Sequence, residues 1–115
     1  MTGPEISHAP RYGLDPIVIV VNNGGWQIFR PVVERPELLA VPAWPYAELA
    51  RAWGGAGFRA HRIGEFRDAL QAAAREKRFV LIEAVVAPDD LSPVSRKYIQ
   101  ASARQGRRKA RRRSA

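Results

Sequence analysis

Apolar residues are distributed along the chain in blocks that predict a small α/β domain. Five consecutive aliphatic residues at 17–21 are followed at once by asparagines and glycines. Such a continuous run is typical of a strand buried on both faces of a parallel sheet. Residues 58–63 alternate well enough for a short second strand, and residues 79–86 form another strongly apolar one. We therefore expect three strands.

Two segments between these runs carry apolar residues at helical spacing. The first, residues 46–53, ends at a Gly-Gly pair that is typical of a helix C-terminus. The second, residues 65–78, contains good helix formers throughout. Strands that alternate with helices build a parallel sheet covered by those helices. The prediction is an α/β fold, a three-layer parallel sheet with flanking helices.

The positive charge is concentrated at one end of the chain. The net charge of the 115 residues is +8, and residues 104–115 carry seven of those charges. These residues include no apolar side chain larger than alanine, so we expect a domain over 1–103 and a disordered basic tail over 104–115. Weak, nonspecific nucleic-acid binding through the tail is an alternative function, and a merely solvated tail is the competing interpretation.

Cysteine content and hydropathy exclude several classes of protein. The sequence has no cysteine, which rules out a disulfide framework, a thiol nucleophile and a thiolate metal site. The apolar run at 17–21 is too short to cross a bilayer, and residues 1–11 lack the apolar middle of a signal peptide. We expect a cytoplasmic protein without a membrane span.

The loop that follows the first predicted strand is the first candidate site. It reads Asn22-Asn23-Gly24-Gly25-Trp26, and ligands of open parallel sheets bind at the carboxyl ends of strands. Amide and backbone carbonyl oxygens are hard ligands that Mg²⁺ accepts, and glycines let the backbone approach a phosphate closely. The loop could therefore hold a metal-diphosphate group. A simple strand-ending turn is the alternative interpretation.

Residues 14–30, Leu-Asp-Pro-Ile-Val-Ile-Val-Val-Asn-Asn-Gly-Gly-Trp-Gln-Ile-Phe-Arg, resemble the carboxyl-terminal cofactor-binding domain of thiamine diphosphate-dependent 2-oxo acid decarboxylases. In that family a G-D-G motif is followed by a buried strand and N-N-x-x-(Tyr or Trp). The resemblance continues through residues 44–55, 62–74 and 80–84. It covers residues 5–100 and implies a thiamine diphosphate- and Mg²⁺-dependent lyase.

The resemblance also implies roles for individual residues. The side-chain oxygen of Asn23 and the backbone carbonyl of Gly25 would bind Mg²⁺, and the cofactor would contact Asn23, Gly25, Trp26 and Ile28. Ile28 and Phe29 would line the substrate side. Pyruvate decarboxylases have a catalytic glutamate where this chain has Phe29, so no catalytic residue is assigned. The apolar residue instead resembles the phenylpyruvate and benzoylformate decarboxylases and implies an aryl 2-oxo acid substrate.

Two parts of the family pattern are missing from this sequence. None of the 21 residues before Asn22 reads G-D-G, and the family's activating glutamate lies in an amino-terminal domain of a neighbouring subunit. We therefore expect a truncated carboxyl-terminal domain, a fragment that is inactive alone. Its implied partners are the amino-terminal part of a decarboxylase and a second subunit. A chain with no independent function is a further alternative.

The remaining polar residues of interest have simpler explanations. His8 and His61 have no second ligand or base at a telling spacing, so ordinary surface positions are expected for both. A polar turn explains Asp89 and Asp90. Glu83 interrupts an apolar strand, and the resemblance implies a structural carboxylate at this position rather than a catalytic one.

Overall fold

The computed structural model describes residues 3–30, 33 and 35–102. The chain divides into two compact units. The first comprises Met1–Asn22 and Trp44–Val86, and the second comprises Asn23–Ala43 and Ala87–Ala115. The basic tail expected over residues 104–115 lies outside the described residues.

The first unit is built on a parallel three-stranded sheet. Its strands are β1 (Ile17–Asn22), β2 (Ala56–Ala60) and β3 (Val80–Val85), in the order β1-β3-β2. Both strand pairs are parallel. Helix α1 (Tyr46–Ala52) lies between β1 and β2 in the chain, and α2 (Ile63–Ala73) lies between β2 and β3. The predicted α/β class and parallel sheet are confirmed.

Helices and turns cover both faces of this sheet. On one face, Val80 and Ile82 pack with alanines of β2 and α2. Side chains alternate along a strand, so Leu81 points to the other face. There it packs with Phe79, with α1 and with Ala9, which lies between the 3-10 turns at Gly3–His8 and Pro10–Tyr12. The domain therefore has three layers, as predicted.

The edge strand β1 departs from the prediction. Residues 80–83 of the central strand are buried, but Ile17, Ile19 and Val21 of β1 remain 43%, 46% and 66% exposed. The prediction that residues 17–21 are buried on both faces is therefore wrong for this chain. These three side chains share a face with Val80 and Ile82. Helix α2 covers the part of that face formed by β3 and β2, which leaves these three side chains of β1 accessible.

The second strand begins and ends earlier than its sequence suggested. It occupies Ala56–Ala60 rather than residues 58–63. An added Cβ at Gly57 would collide with the backbone of Ala47 in α1. Close packing of β2 against α1 therefore requires glycine at position 57. From the sequence alone, this glycine argues against a strand, because glycine is a weak strand former. Helix α2 likewise ends at Ala73 instead of residue 78, and the chain then turns to bury Phe79 completely.

The described part of the second unit contains short turns and a helix. Its 3-10 turns are Gln27–Phe29 and Pro36–Leu39, and residues 93–102 are helical. The Ser92 hydroxyl caps this helix by accepting a 3.1 Å hydrogen bond from the Ser95 amide. Within the described ranges, no helix combines the length and the apolar character that crossing a bilayer requires.

Candidate cofactor-binding site

The carboxyl end of β1 is held to β3 by side chain and backbone. The Asn22 Nδ2 atom donates to Glu83 Oε1 at 2.7 Å, and the Asn22 carbonyl accepts from the Val86 amide at 2.9 Å. The other carboxylate oxygen, Glu83 Oε2, lies 3.3 Å from Arg59 Nε. The Glu83 side chain is only 3% exposed, whereas that of Arg59 is 54% exposed. Each oxygen of a buried carboxylate thus has a donor, which compensates its lost hydration.

The parallel register explains why these three residues meet. Glu83 of β3 lies between Val20 of β1 and Arg59 of β2 in one row across the sheet. Asn22 lies two residues beyond Val20, so its side chain points to the same face. The contacts agree with the structural role expected of Glu83.

The loop that leaves β1 closes on itself through the Asn23 side chain. Asn23 Oδ1 accepts a hydrogen bond from the Gly25 amide at 3.3 Å, which forms an Asx turn. Gly24, between them, has a φ of +72°, a conformation that a side chain disfavours. An amide oxygen has two lone pairs, so Oδ1 can accept this bond and still bind a cation. The Asx turn therefore leaves Asn23 Oδ1 able to bind a cation, as the predicted role in Mg²⁺ binding requires.

Gly25 forms an isolated antiparallel bridge with Ala40. Two backbone hydrogen bonds flank this pair, from Trp26 N to Leu39 O at 2.8 Å and from Val41 N to Gly24 O at 3.2 Å. In this pattern the paired residue's own amide and carbonyl point away from the partner segment. The Gly25 carbonyl is consequently directed away from residues 39–41, as a backbone metal ligand requires.

Steric contact also requires glycine at position 25. A Cβ placed there would collide with the carbonyl oxygen of Leu39 and lie 3.1 Å from Gln27 Nε2. Glycine is thus required at the two positions for different reasons. Gly24 adopts a positive φ, and Gly25 allows close approach of the Leu39 backbone. A simple turn would explain glycine at position 24 but not at position 25.

Three large apolar side chains lie at the end of the loop and directly after it. Trp26, Ile28 and Phe29 are 52%, 55% and 46% exposed. The rings of Trp26 and Phe29 have centroids 6.1 Å apart and are tilted by 41°. Exposed apolar side chains clustered in this way mark a ligand or protein contact more often than isolated ones do.

The oxygen donors of the loop are uncharged. Within the part of the chain that the structure describes, no cluster of three or more His, Cys, Asp or Glu residues could hold a metal ion. Mg²⁺ prefers an octahedron of oxygens with carboxylate or phosphate ligands among them. Asn23 and Gly25 would therefore fit one side of a Mg²⁺ site whose anionic ligands come from elsewhere.

Two carboxyl groups among the described residues have displaced pKa values, and neither lies in the loop. The Arg35 side chain, whose Nε is 2.7 Å from Glu37 Oε1, lowers the pKa of Glu37. The backbone amide of His61 donates to Glu65 Oε2 at 2.8 Å and lowers the pKa of that group. Both are surface arrangements, and neither identifies an acid or base near the loop.

Asn22 has a contact that its place in the motif does not predict. Its side chain pairs with Glu83. The sequence contains a hint of this pairing, because Asn22 ends one apolar strand and Glu83 interrupts another. Of the other polar residues, the ring of His8 stacks on Tyr12 with centroids 6.5 Å apart, and the Asp90 amide donates to the Ala87 carbonyl in a turn.

The loop with its oxygen donors follows the carboxyl end of a parallel strand, which is where open α/β domains bind their cofactors. Residues 1–84 match the family described as thiamine pyrophosphate enzyme, C-terminal TPP binding domain. The chain belongs to this family. The matched residues include the whole loop and Glu83.

Curated relatives are named as decarboxylases. The chain is 35% identical over 105 residues to an indole-3-pyruvate decarboxylase of Azospirillum brasilense, covering 90% of this chain and 19% of the relative. It is 37% identical over 91 residues to alpha-keto-acid decarboxylases of Mycobacterium bovis and Mycobacterium tuberculosis, covering 75% of this chain and 16% of each relative. The resemblance to 2-oxo acid decarboxylases is confirmed. The chain spans about one fifth of the length of these relatives.

Proposed function

We propose that this chain supplies one side of a Mg²⁺-thiamine diphosphate site in a decarboxylase of aryl 2-oxo acids. The observation that carries the proposal is the geometry of the loop after β1. The Asx turn orients Asn23 Oδ1, and the bridge to Ala40 turns the Gly25 carbonyl away from its neighbouring segment. Both are hard oxygens of the class that binds Mg²⁺.

Asn23 and Gly25 would hold the metal, and the metal would hold the diphosphate. Thiamine diphosphate, when bound, supplies the carbanion that attacks a 2-oxo carbon and the electron sink that allows CO₂ to leave. The protein's part is to fix the position of the metal and to exclude water. Because glycine at 25 permits close backbone approach, a diphosphate oxygen could share the same ion.

The apolar residues after the loop suit the organic part of the site. Trp26 and Ile28 would contact the cofactor, and Ile28 with Phe29 would line the substrate. Their exposed surfaces are available for such contacts, and covering them would exclude water from the reacting groups. An apolar Phe29 favours an aromatic substrate, in keeping with the indole group in the name of the Azospirillum relative.

The uncharged donors imply further polypeptide partners. A site with only Asn23 and Gly25 as ligands lacks the anionic protein ligand that Mg²⁺ favours. The partners would be the amino-terminal part of a decarboxylase and a second subunit, each adding groups that this chain does not carry. By itself, the chain would then be inactive.

Complementation tests the function directly. The purified chain with thiamine diphosphate and Mg²⁺ should release no CO₂ from phenylpyruvate. Coexpression with the remaining amino-terminal part of the Azospirillum relative should restore release. In that complex Asn23→Ala should abolish activity, while Gln100→Ala, which removes an exposed amide from the helix at 93–102, should not.

Three results would contradict the proposal. The isolated chain could turn over phenylpyruvate, which would show that no partner is needed. The Asn23→Ala complex could remain fully active, which would remove the proposed metal ligand. The complemented protein could also bind no cofactor and decarboxylate no 2-oxo acid.

A further inference from the structure

Glu83 is a buried charge in a position where the core needs none. It is 2% exposed in the central strand, between the apolar residues Ile82 and Ala84. Burying a carboxylate carries a desolvation cost that pairing often does no more than offset. In some proteins such a buried group selects one conformation rather than adding stability.

We propose that Glu83 is a positioning residue for the candidate cofactor-binding loop and acts through Asn22. The Asn22 carbonyl accepts from the Val86 amide, and its side-chain amide donates to Glu83. Asn23, the first residue of the Asx turn, follows directly after this anchored residue in the chain. The part of this inference that concerns Mg²⁺ rests on the proposed function, whereas the part that concerns loop geometry does not.

The polarity of the network fixes which way the Asn22 amide faces. Arg59 Nε lies beside Glu83 Oε2, and Oε1 accepts the bond from Asn22 Nδ2. A carboxylate can only accept, so Asn22 must turn its nitrogen toward Glu83. Arg59, through Glu83, thus sets the orientation of the last residue of β1.

Exchanging the hydrogen-bond donor and acceptor between positions 22 and 83 distinguishes a positioning role of Glu83 from a role in packing alone. Asn22→Asp places two carboxylates against each other and should release the strand end. Glu83→Gln can satisfy both Asn22 and Arg59 only if the Asn22 amide rotates to turn its oxygen toward the glutamine nitrogen, so this variant reverses the orientation of Asn22. The double variant Asn22→Asp/Glu83→Gln restores a hydrogen bond of reversed polarity, with the glutamine oxygen facing Arg59.

A matched control is available on the same unit. Glu76 lies 2.9 Å from Arg78 Nε, so Glu76→Gln makes the same chemical change beside an arginine. It has no hydrogen bond to the end of β1 in this network. The change in the loop should therefore be confined to the Asn22 and Glu83 variants.

The readout is the state of the loop in the full 115-residue chain without cofactor. Amide chemical shifts and hydrogen exchange of Gly24 and Gly25 are measured by NMR in an Ile19→Lys background. Ile19 faces the side of the sheet opposite to Asn22, so this change aids solubility without touching the network. Each single variant should shift both glycine amides and speed exchange at Gly25, and the double variant should return them toward the parent.

Unchanged glycine amides in Asn22→Asp would overturn the proposal, as would a double variant that fails to recover. If Asn22→Asp does not fold, Asn22→Ala removes the same contact without opposing charges. The Asn22→Ala chain must then show the shifted amides, and parent-like amides would again overturn positioning.

A second readout uses Mn²⁺ with thiamine diphosphate on the complemented protein. Each single variant should weaken Mn²⁺ affinity by about 10- to 100-fold, the loss expected when a group supporting a metal ligand is removed. The double variant should recover most of it. Equal affinity in parent and single variants would contradict positioning of the metal ligand. Complete absence of cofactor binding by the parent complex would instead contradict the proposed function, and the NMR result would still decide the loop geometry.

Discussion

Asn22 Nδ2 and Glu83 Oε1 lie 2.7 Å apart, although 61 residues separate them in the chain. The bond joins the edge strand β1 to the central strand β3 at the end of the sheet from which the candidate loop departs. Each residue is the polar exception of its strand, and each is the other's partner. The polar positions of β1 and β3 therefore form a single feature of the fold.

The members of this network should differ in what they contribute to stability. Glu83→Ala leaves the Asn22 amide without its charged acceptor and should lower the free energy of unfolding by about 2 kcal/mol. Arg59→Ala should cost more, about 3 kcal/mol, because the Glu83 carboxylate, which is only 3% exposed, then keeps its charge without this partner. Urea unfolding followed by circular dichroism measures both. Equal losses for the two variants would contradict this division.

Acid should weaken the chain through Glu65. The His61 amide donates to this carboxylate and, with a smaller contribution from Arg62, lowers the pKa below its ordinary 4.5. A lowered pKa in the folded state contributes stability that is present above the unfolded value and is lost as pH falls through the folded one. Glu65→Gln should therefore flatten the pH dependence of stability below about pH 4.5. A carboxyl titration midpoint at or above that value, measured by ¹³C NMR, would contradict the assignment.

Two Gly→Ala substitutions should change different properties: one should weaken cofactor binding, and the other should raise stability. Gly25→Ala would drive a methyl group into the Leu39 carbonyl and displace the bridge, so cofactor affinity of the complemented protein should fall at least tenfold. Gly64→Ala meets nothing within 4 Å in the first turn of α2 and should raise stability by about 0.4–1 kcal/mol. Titration with Mn²⁺ and thiamine diphosphate, together with urea unfolding, tests both. Normal cofactor affinity in Gly25→Ala would show that the bridge is not needed.

The order of strands and helices could be predicted from local patterns, since each element carries its own periodicity. Helix α1 begins at Tyr46, as its pattern indicates. The early start of β2 could not be predicted, because Gly57 is required by the proximity of Ala47, which is distant in sequence.

Burial and long-range contacts were equally beyond local patterns. The exposure of Ile17, Ile19 and Val21 depends on what covers β1, and an apolar run carries no information about its neighbours. At the site, residue types suggested the oxygen donors. The bridge between Gly25 and Ala40 joins segments with no shared periodicity and appears only in three dimensions.

The basic tail should act independently of the domain. Residues 104–115 carry seven of the eight net charges, so deleting them should leave the circular dichroism spectrum and the unfolding midpoint unchanged. Any affinity of the full chain for nucleic acid should fall steeply with added salt and disappear on deletion, since phosphate neutralisation would supply it. Salt-resistant, sequence-selective binding that survives the deletion would place the interaction in the domain.

The exposed edge of β1 should make the purified chain associate with itself. An unpaired strand edge with accessible aliphatic side chains invites pairing with another copy, and Ile17, Ile19 and Val21 provide such a stripe. Ile19→Lys should shift the chain toward a monomer in sedimentation velocity, because a lysine on an edge strand opposes pairing. Ile63→Lys is the matched control: Ile63 is 77% exposed on α2, away from the edge, and its substitution should leave association unchanged. A parent chain that sediments as a compact monomer and unfolds cooperatively would show that the edge is protected.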